Sequence, residues 1–264
     1  MGQLRKLLAI SLPVFLLCFS AVACGQSLDD DVVIVRADEW FPINGEPQAA
    51  LPGFSIEVLR EIFTREHVDV DYELMGWARS LDLTYSGDVD CVVGSYKSEG
   101  RGLLFPKYPL AYDTAAFYVL AENPWRYKGP ASLDGTTIAV IADYSYGAEV
   151  DNWLAIRPPN VHISHGREPL QRNLQMLLAG RVETLVASPL VMMHVLEQVG
   201  ATNLVIEAGR ISASEPFYFA CNNVADRGAR FINMYNDGWE KLRASGMLAA
   251  IYAKYGVPMP LDGK

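Results

Sequence analysis

Residues 32–63 read VVIVRADEWFPINGEPQAALPGFSIEVLREIF, and the change of rhythm inside this stretch decides the fold class. Val32-Val33-Ile34-Val35 is a continuous apolar run of mostly β-branched residues. Such a run predicts a strand buried on both faces, as in a parallel sheet. The loop that follows holds Trp40, Pro42, Gly45 and Pro47. After Gly53 the period changes. Ile56, Leu59, Ile62 and Phe63 recur at three- and four-residue spacing, with Glu57, Arg60 and Glu61 between them, which predicts an amphipathic helix.

The alternation continues outward. Val68-Asp69-Val70-Asp71-Tyr72 predicts a second strand, Trp77 to Tyr85 a helix closed by Gly87, and Cys91-Val92-Val93 a third strand. Strand–helix–strand–helix–strand implies a parallel, right-handed α/β lobe. Ala115 to Leu120 is a further strand, and a second unit begins after Gly129-Pro130. Its strands are expected at 137–141, 161–163, 184–187 and 204–206, with helices after Gly147, from Leu170 to Leu178, and from Pro189 to Val199. The architecture repeats without a convincing sequence repeat. Phe217 to Cys221 is a strand with no crossover helix before it. Phe231, Ile232, Tyr235, Trp239 and Leu242 then mark one stripe of a long helix, and Met247 to Tyr255 form a last short one after Ser245-Gly246.

The simplest topology returns this C-terminal part to the first lobe. The expected product is a two-lobed α/β protein with a two-strand hinge and a ligand cleft between the lobes. Lobe 1 is expected at 24–118 plus 215–264, and lobe 2 at 119–214, with chain crossings near Ala115–Leu120 and Ser214–Phe217.

The beginning of the chain bears on compartment. Arg5 and Lys6 precede the apolar run Leu7 to Phe19, and Ala21-Val22-Ala23 supplies small residues for cleavage. This is the layout of a secretory signal peptide over residues 1–23, and its apolar run is too short to span a bilayer. Export to the periplasm is expected. Cys24 follows the cleavage point directly. Ala21-Val22-Ala23-Cys24 resembles a lipoprotein box, although Ala stands at position 21 where Leu is usual, and plain cleavage at the same bond is the competing reading. A lipid on Cys24 is the only membrane attachment expected. Cys24, Cys91 and Cys221 remain after cleavage, an odd number for an oxidising compartment. Acylation of Cys24 with a Cys91–Cys221 bridge accounts for all three, and two buried free thiols are the alternative.

Setting aside Arg5 and Lys6 leaves 20 of the chain's 22 Lys and Arg against all 31 Asp and Glu, so the formal charge moves from −9 to −11. That balance speaks against nucleic acid as a partner, because phosphate binding wants a basic face. It fits a secreted protein, expected to be monomeric.

The landmarks occur in a specific order: Asp38-Glu39-Trp40-Phe41-Pro42, Gly53 to Leu59, Trp77-Ala78-Arg79, Ser86-Gly87-Asp88-Val89-Asp90, Gly94 to Arg101, Leu133-Asp134-Gly135, Ala179 to Glu183, and Ser245-Gly246 with Tyr255-Gly256. In this order and spacing the chain resembles the bacterial extracellular solute-binding proteins of family 3, the periplasmic receptors of amino-acid-type ABC importers. The resemblance covers essentially the whole mature sequence. It implies the periplasmic-binding-protein fold of type II, a small-molecule ligand and an ABC permease as partner, with no cofactor.

The same resemblance implies the site. Arg101 is expected to pair with a ligand carboxylate through the planar fork of its guanidinium, helped by Ser98, although Gly100 stands where Glu is usual and Tyr96 where Thr is common. Arg79 is a second cationic candidate. Trp40, Trp77, Ser95 and Tyr96 lie just past strands or in the loops there, where ligands of open α/β sheets sit. Aromatic rings there would pack on the apolar part of a solute. Ser145 and Tyr146 precede a helix whose N-terminus would favour an anion. Ser188 occupies the position of the family's amine-binding Asp. A serine cannot neutralise an ammonium, so the ligand is either a small organic acid or an amine whose charge is met by Asp38, Glu39, Asp113 or Asp143.

No catalytic constellation stands out: the chain has no G-x-S-x-G, P-loop or G-x-G-x-x-G. His162 and His165 lack partners at metal-ligand spacing, and Asp29-Asp30-Asp31 reads as a solvated linker. The fold also hosts small-acid dehydratases and lyases, and ligand-sensing domains that signal to a membrane partner. These are the alternative readings.

Overall fold

A computed structural model of the protein describes residues 32–260, apart from Gly100, Arg101, Arg157, Arg167, Ser212, Ala213 and Ala225. The expected leader, Cys24, Asp29 to Asp31 and Arg101 lie outside the described residues.

The chain opens with β1 (Val32–Ala37), α1 (Phe54–Arg65), β2 (Asp69–Leu74), α2 (Trp77–Ser86), β3 (Cys91–Tyr96) and β4 (Ala111–Asp113). It continues through β5 (Ala116–Leu120), β6 (Ile138–Ile141), α3 (Ala148–Ala155), β7 (Val161–Ser164), α4 (Pro169–Leu178), β8 (Thr184–Ala187), α5 (Pro189–Gln198) and β9 (Val205–Arg210). It closes with β10 (Glu215–Cys221), α6 (Asp226–Ala244) and α7 (Met247–Lys254).

The strands form two five-stranded sheets, ordered β2-β1-β3-β10-β4 and β7-β6-β8-β5-β9. In each, three strands run parallel through helical crossovers and the remaining neighbours pair antiparallel. The chain passes from the first sheet to the second at Thr114-Ala115 and returns between Arg210 and Glu215. Residues 116–118 thus belong with the second lobe, not with the first as the sequence suggested. The reason is β4, a three-residue strand that completes the first sheet before the crossing.

β1 departs from expectation as well. Val33, Val35 and Ala37 are fully buried, while Val32, Ile34 and Arg36 are only partly covered. On that second face Arg36 meets Asp71 of the neighbouring β2 at 3.2 Å. A charged residue is accommodated there because the covering layer is incomplete.

The helical periodicity of α1 is realised. Ile56, Leu59, Ile62 and Phe63 are fully buried, and Glu57, Arg60 and Glu61 are not. The stripe packs against α6. Gly238 permits the close approach: a Cβ there would fall 2.5 Å from Ile62 Cγ2. Phe63 meets Phe231 edge-on at 5.8 Å and Phe219 at 5.8 Å, so β10 and α6 share the core of lobe 1 with α1.

The end of lobe 1 opposite the carboxyl ends of its parallel strands is tied by polar bonds. Asp90, 4% exposed, accepts the Ile34 amide at 2.8 Å and Arg227 Nε at 2.7 Å. Next to it, Cys91 stands opposite Cys221 in the β3–β10 ladder, and a disulfide joins them. No helix among the described residues is long and apolar enough to cross a membrane.

Candidate ligand-binding site

The carboxyl ends of the parallel strands in both sheets face a shared cavity of about 250 Å³. Lobe 1 contributes the segment after β1 and the ends of β3 and β4. Lobe 2 contributes the turn after β6, the end of β8 and the start of α4. This is where an α/β sheet leaves loop atoms and uncovered strand ends to contact a ligand.

Trp40, Trp77, Tyr96, Tyr144 and Tyr146 give the cavity its aromatic walls. Trp40 is set by two contacts. Its ring lies 5.1 Å from that of Phe217, and its edge rests against Gly94. Gly94 has φ +98°, which favours glycine, and a Cβ there would fall 3.3 Å from the indole and crowd it. Trp77 begins α2 and is 7% exposed.

The polar lining is acidic. Asp38, Glu39, Asp113, Glu149 and Glu215 all reach the wall, and no Lys, Arg or His does so among the described residues. Tyr144 of lobe 2 donates its hydroxyl to Asp38 Oδ2 of lobe 1. Ser188, at the start of α5 in lobe 2, donates to Asp113 Oδ1 of lobe 1 at 2.8 Å. Asp113 Oδ2 also accepts Tyr96 Oη at 3.5 Å. Burial pushes the Asp113 carboxyl up to about 6, against the lowering by Ser188, the Thr114 amide and Tyr96. A rim contact adds to these two polar bridges: the Phe41 ring lies 4.2 Å from His194 of α5.

Among the residues expected from sequence, Trp40, Trp77, Tyr96, Ser145, Tyr146 and Ser188 come together in the wall. Arg79 does not: it is exposed on α2, outside the wall. Ser98 is exposed on the short turn after β3, also outside it. Ser95 is fully buried, because β3 extends past the expected end at Val93 to Tyr96 and is covered on both faces up to Ser95. Asp143 is exposed and outside the wall.

The anion site expected at Ser145 and Tyr146 is already taken. Asp151, from the first turn of α3, accepts the Ser145 hydroxyl at 2.7 Å and the Tyr146 amide at 2.8 Å. Its carboxylate supplies the negative charge that a helix start favours. Glu149, Thr114 and Glu215 reach the wall without having been singled out in the sequence. Glu215 lies opposite Asp113 in the β10–β4 register, and that pairing becomes visible only once β4 is known.

Two α/β lobes with a cavity between their strand ends make the type II periplasmic-binding fold. The chain matches the bacterial extracellular solute-binding proteins, family 3, over residues 32–258, and it belongs to that family. Among curated proteins it is 22% identical over 261 residues to "Probable amino-acid-binding protein YxeM" of Bacillus subtilis (strain 168), covering 96% of each chain. Among solved structures, a histidine kinase sensor domain with similarity to periplasmic binding proteins superposes with a TM-score of 0.73 at 23% identity, over 87% of this chain and 98% of that one. An ancestral arginine-binding protein bound to glutamine gives 0.71 at 20% identity, over 85% and 97%.

Proposed function

We propose that the protein is an exported receptor of an ABC importer and that it captures a small amino-acid-type solute between its two lobes. The observation that carries this reading is the interlobe cavity of about 250 Å³, walled by aromatic rings and five carboxylates. Its size lies below the ~300–1,000 Å³ of sites for drug-sized ligands. Rings of Trp40, Trp77 and Tyr144 suit the apolar part of such a solute. The acidic wall disfavours a purely anionic ligand, since bringing one more negative charge into a low-dielectric cleft is costly. The choice left open by Ser188, organic acid or amine, therefore falls to a ligand that carries a protonated nitrogen. Its carboxylate is assigned to Arg101 by the family resemblance.

Thermal-shift screening of the standard amino acids against wild type and Arg101→Ala tests the assignment. An amino acid that stabilises wild type and loses that effect in Arg101→Ala supports it. Equal stabilisation of both proteins contradicts the role of Arg101.

The sensor-domain structure favours a second reading, in which the same cleft informs a membrane partner. Neighbouring genes separate the two: permease and ATPase genes for import, a kinase or cyclase gene for sensing.

A further inference from the structure

We propose that Asp113, at the end of β4, is the residue that recognises the protonated nitrogen of the ligand, in place of the carboxylate that position 188 lacks. This rests on the reading of the cleft as a site for an amino-acid-type solute. Ser188 cannot neutralise a cation, but its hydroxyl donates to Asp113 Oδ1 at 2.8 Å from the opposite lobe. A negative charge thus sits one hydrogen bond from the position where the resemblance expects it. It comes from a different strand and a different sheet.

Three observations single out Asp113 among the carboxylates of the wall. It is 7% exposed, yet its polar partners are the Ser188 and Tyr96 hydroxyls and the Thr114 amide, with no cation among the described residues. An ionised carboxylate buried in this way is costly unless a positive group meets it. Next, Glu215 stands directly opposite Asp113 in the antiparallel β10–β4 pair, and both line the cavity. A cation placed at this end of the cavity therefore has two carboxylates within the same wall. Finally, Asp113 is the wall carboxylate bonded to Ser188, the residue at the position expected to carry the charge, whereas Asp38 is bonded to Tyr144 and Glu149 is exposed.

The position also has a mechanical consequence. Asp113 is the last residue of the first sheet before the chain passes to the second. An ammonium held there contacts the pivot itself, with Ser188 of lobe 2 bonded to the same carboxylate. Capture of the nitrogen then favours the arrangement in which the two lobes stay together.

The experiment compares wild type with Asp113→Asn, which keeps an oxygen to accept the Ser188 hydroxyl. The probes are the standard L-amino acids and, for each that binds, the 2-hydroxy acid in which hydroxyl replaces the amine. Affinities are read by calorimetry at pH 7.5. The expected result is an amino acid whose affinity falls at least tenfold in Asp113→Asn, while the matched hydroxy acid binds wild type and variant alike and weakly. Equal affinity of both proteins for the amino acid overturns the role of Asp113 and leaves the receptor reading standing. No amino acid binding to wild type defeats the receptor reading itself, and this proposal with it. Should Asp113→Asn fail to fold, Asp113→Ser is titrated with the same pair of probes, and equal affinity of this variant and wild type for the amino acid overturns the proposal.

Discussion

Asp90 and Asp113 are both buried aspartates of lobe 1, 4% and 7% exposed, and their surroundings could hardly differ more. Asp90 stands at the start of β3, away from the cleft, where Arg227 and the Ile34 amide meet its two oxygens. Asp113 stands at the cleft end of β4, where it meets hydroxyls and one amide. The first carboxylate is complete within the fold. The second has hydrogen bonds but no cation among the described residues, which is the basis for proposing that it meets the ligand's nitrogen. Burial by itself therefore says little about role; the charge of the partners separates an anchor from a binding group.

The comparison can be broken most directly at Asp90. Asp90→Ala strands the Arg227 guanidinium, itself mostly buried, and frees the Ile34 amide. A loss of about 3–5 kcal/mol is expected, measured by denaturant unfolding of the ligand-free protein. A loss below about 1 kcal/mol would remove the contrast.

Reduction of the Cys91–Cys221 bridge acts on the same end of lobe 1. The bridge spans a sequence separation of 130 residues, and its removal is expected to cost about 2–4 kcal/mol. Mass measurement after alkylation, with and without prior reduction, checks that the bond is there to remove.

Asp113→Asn should move stability the other way. The folded carboxyl titrates near 6, above its ordinary 3.8. Between these values the unfolded chain has released the proton and the folded protein retains it, so stability falls as pH rises through this window and the penalty is complete above it. The variant is expected to be about 2–3 kcal/mol more stable than wild type at pH 8, with the difference gone near pH 3. Thermal unfolding at the two pH values reads this. Equal stability at pH 8 would mean that Asp113 carries no burial penalty.

Tyr144→Phe is the smallest change. It removes the hydroxyl donated across the cleft to Asp38, and a loss of about 1 kcal/mol is expected in the ligand-free protein. A larger effect would shift the lobe-to-lobe contact from the Ser188–Asp113 pair to this one.

The sequence made the frame of the fold readable because its signals are periodic. The spacing of Ile56, Leu59, Ile62 and Phe63 announced α1, and the apolar runs announced the core strands. What escaped was short or paired at long range. Ala111-Tyr112-Asp113 is too brief to show a strand period, so neither the place of the sheet change nor the Asp113–Glu215 register could be read. Ser95 was assigned to the cleft because the strand was expected to end at Val93, whereas β3 runs on to Tyr96 and keeps Ser95 buried within it. Arg36 was the available hint that β1 is not covered equally on both faces. In the site, the aromatic positions were legible from loops that follow strands. The occupation of the Ser145–Tyr146 turn by Asp151 was not, because it depends on how α3 begins.

The central claim is that the cleft between the lobes holds an amino-acid-type solute against an aromatic, acidic wall. Trp40 and Trp77 are the indoles in that wall, so their fluorescence reports on it. Titration of wild type with each standard L-amino acid is predicted to give a saturable, one-site change with at least one of them, and Trp40→Phe is predicted to diminish it. An emission spectrum that none of the amino acids changes, in a protein shown to be folded, would contradict the account.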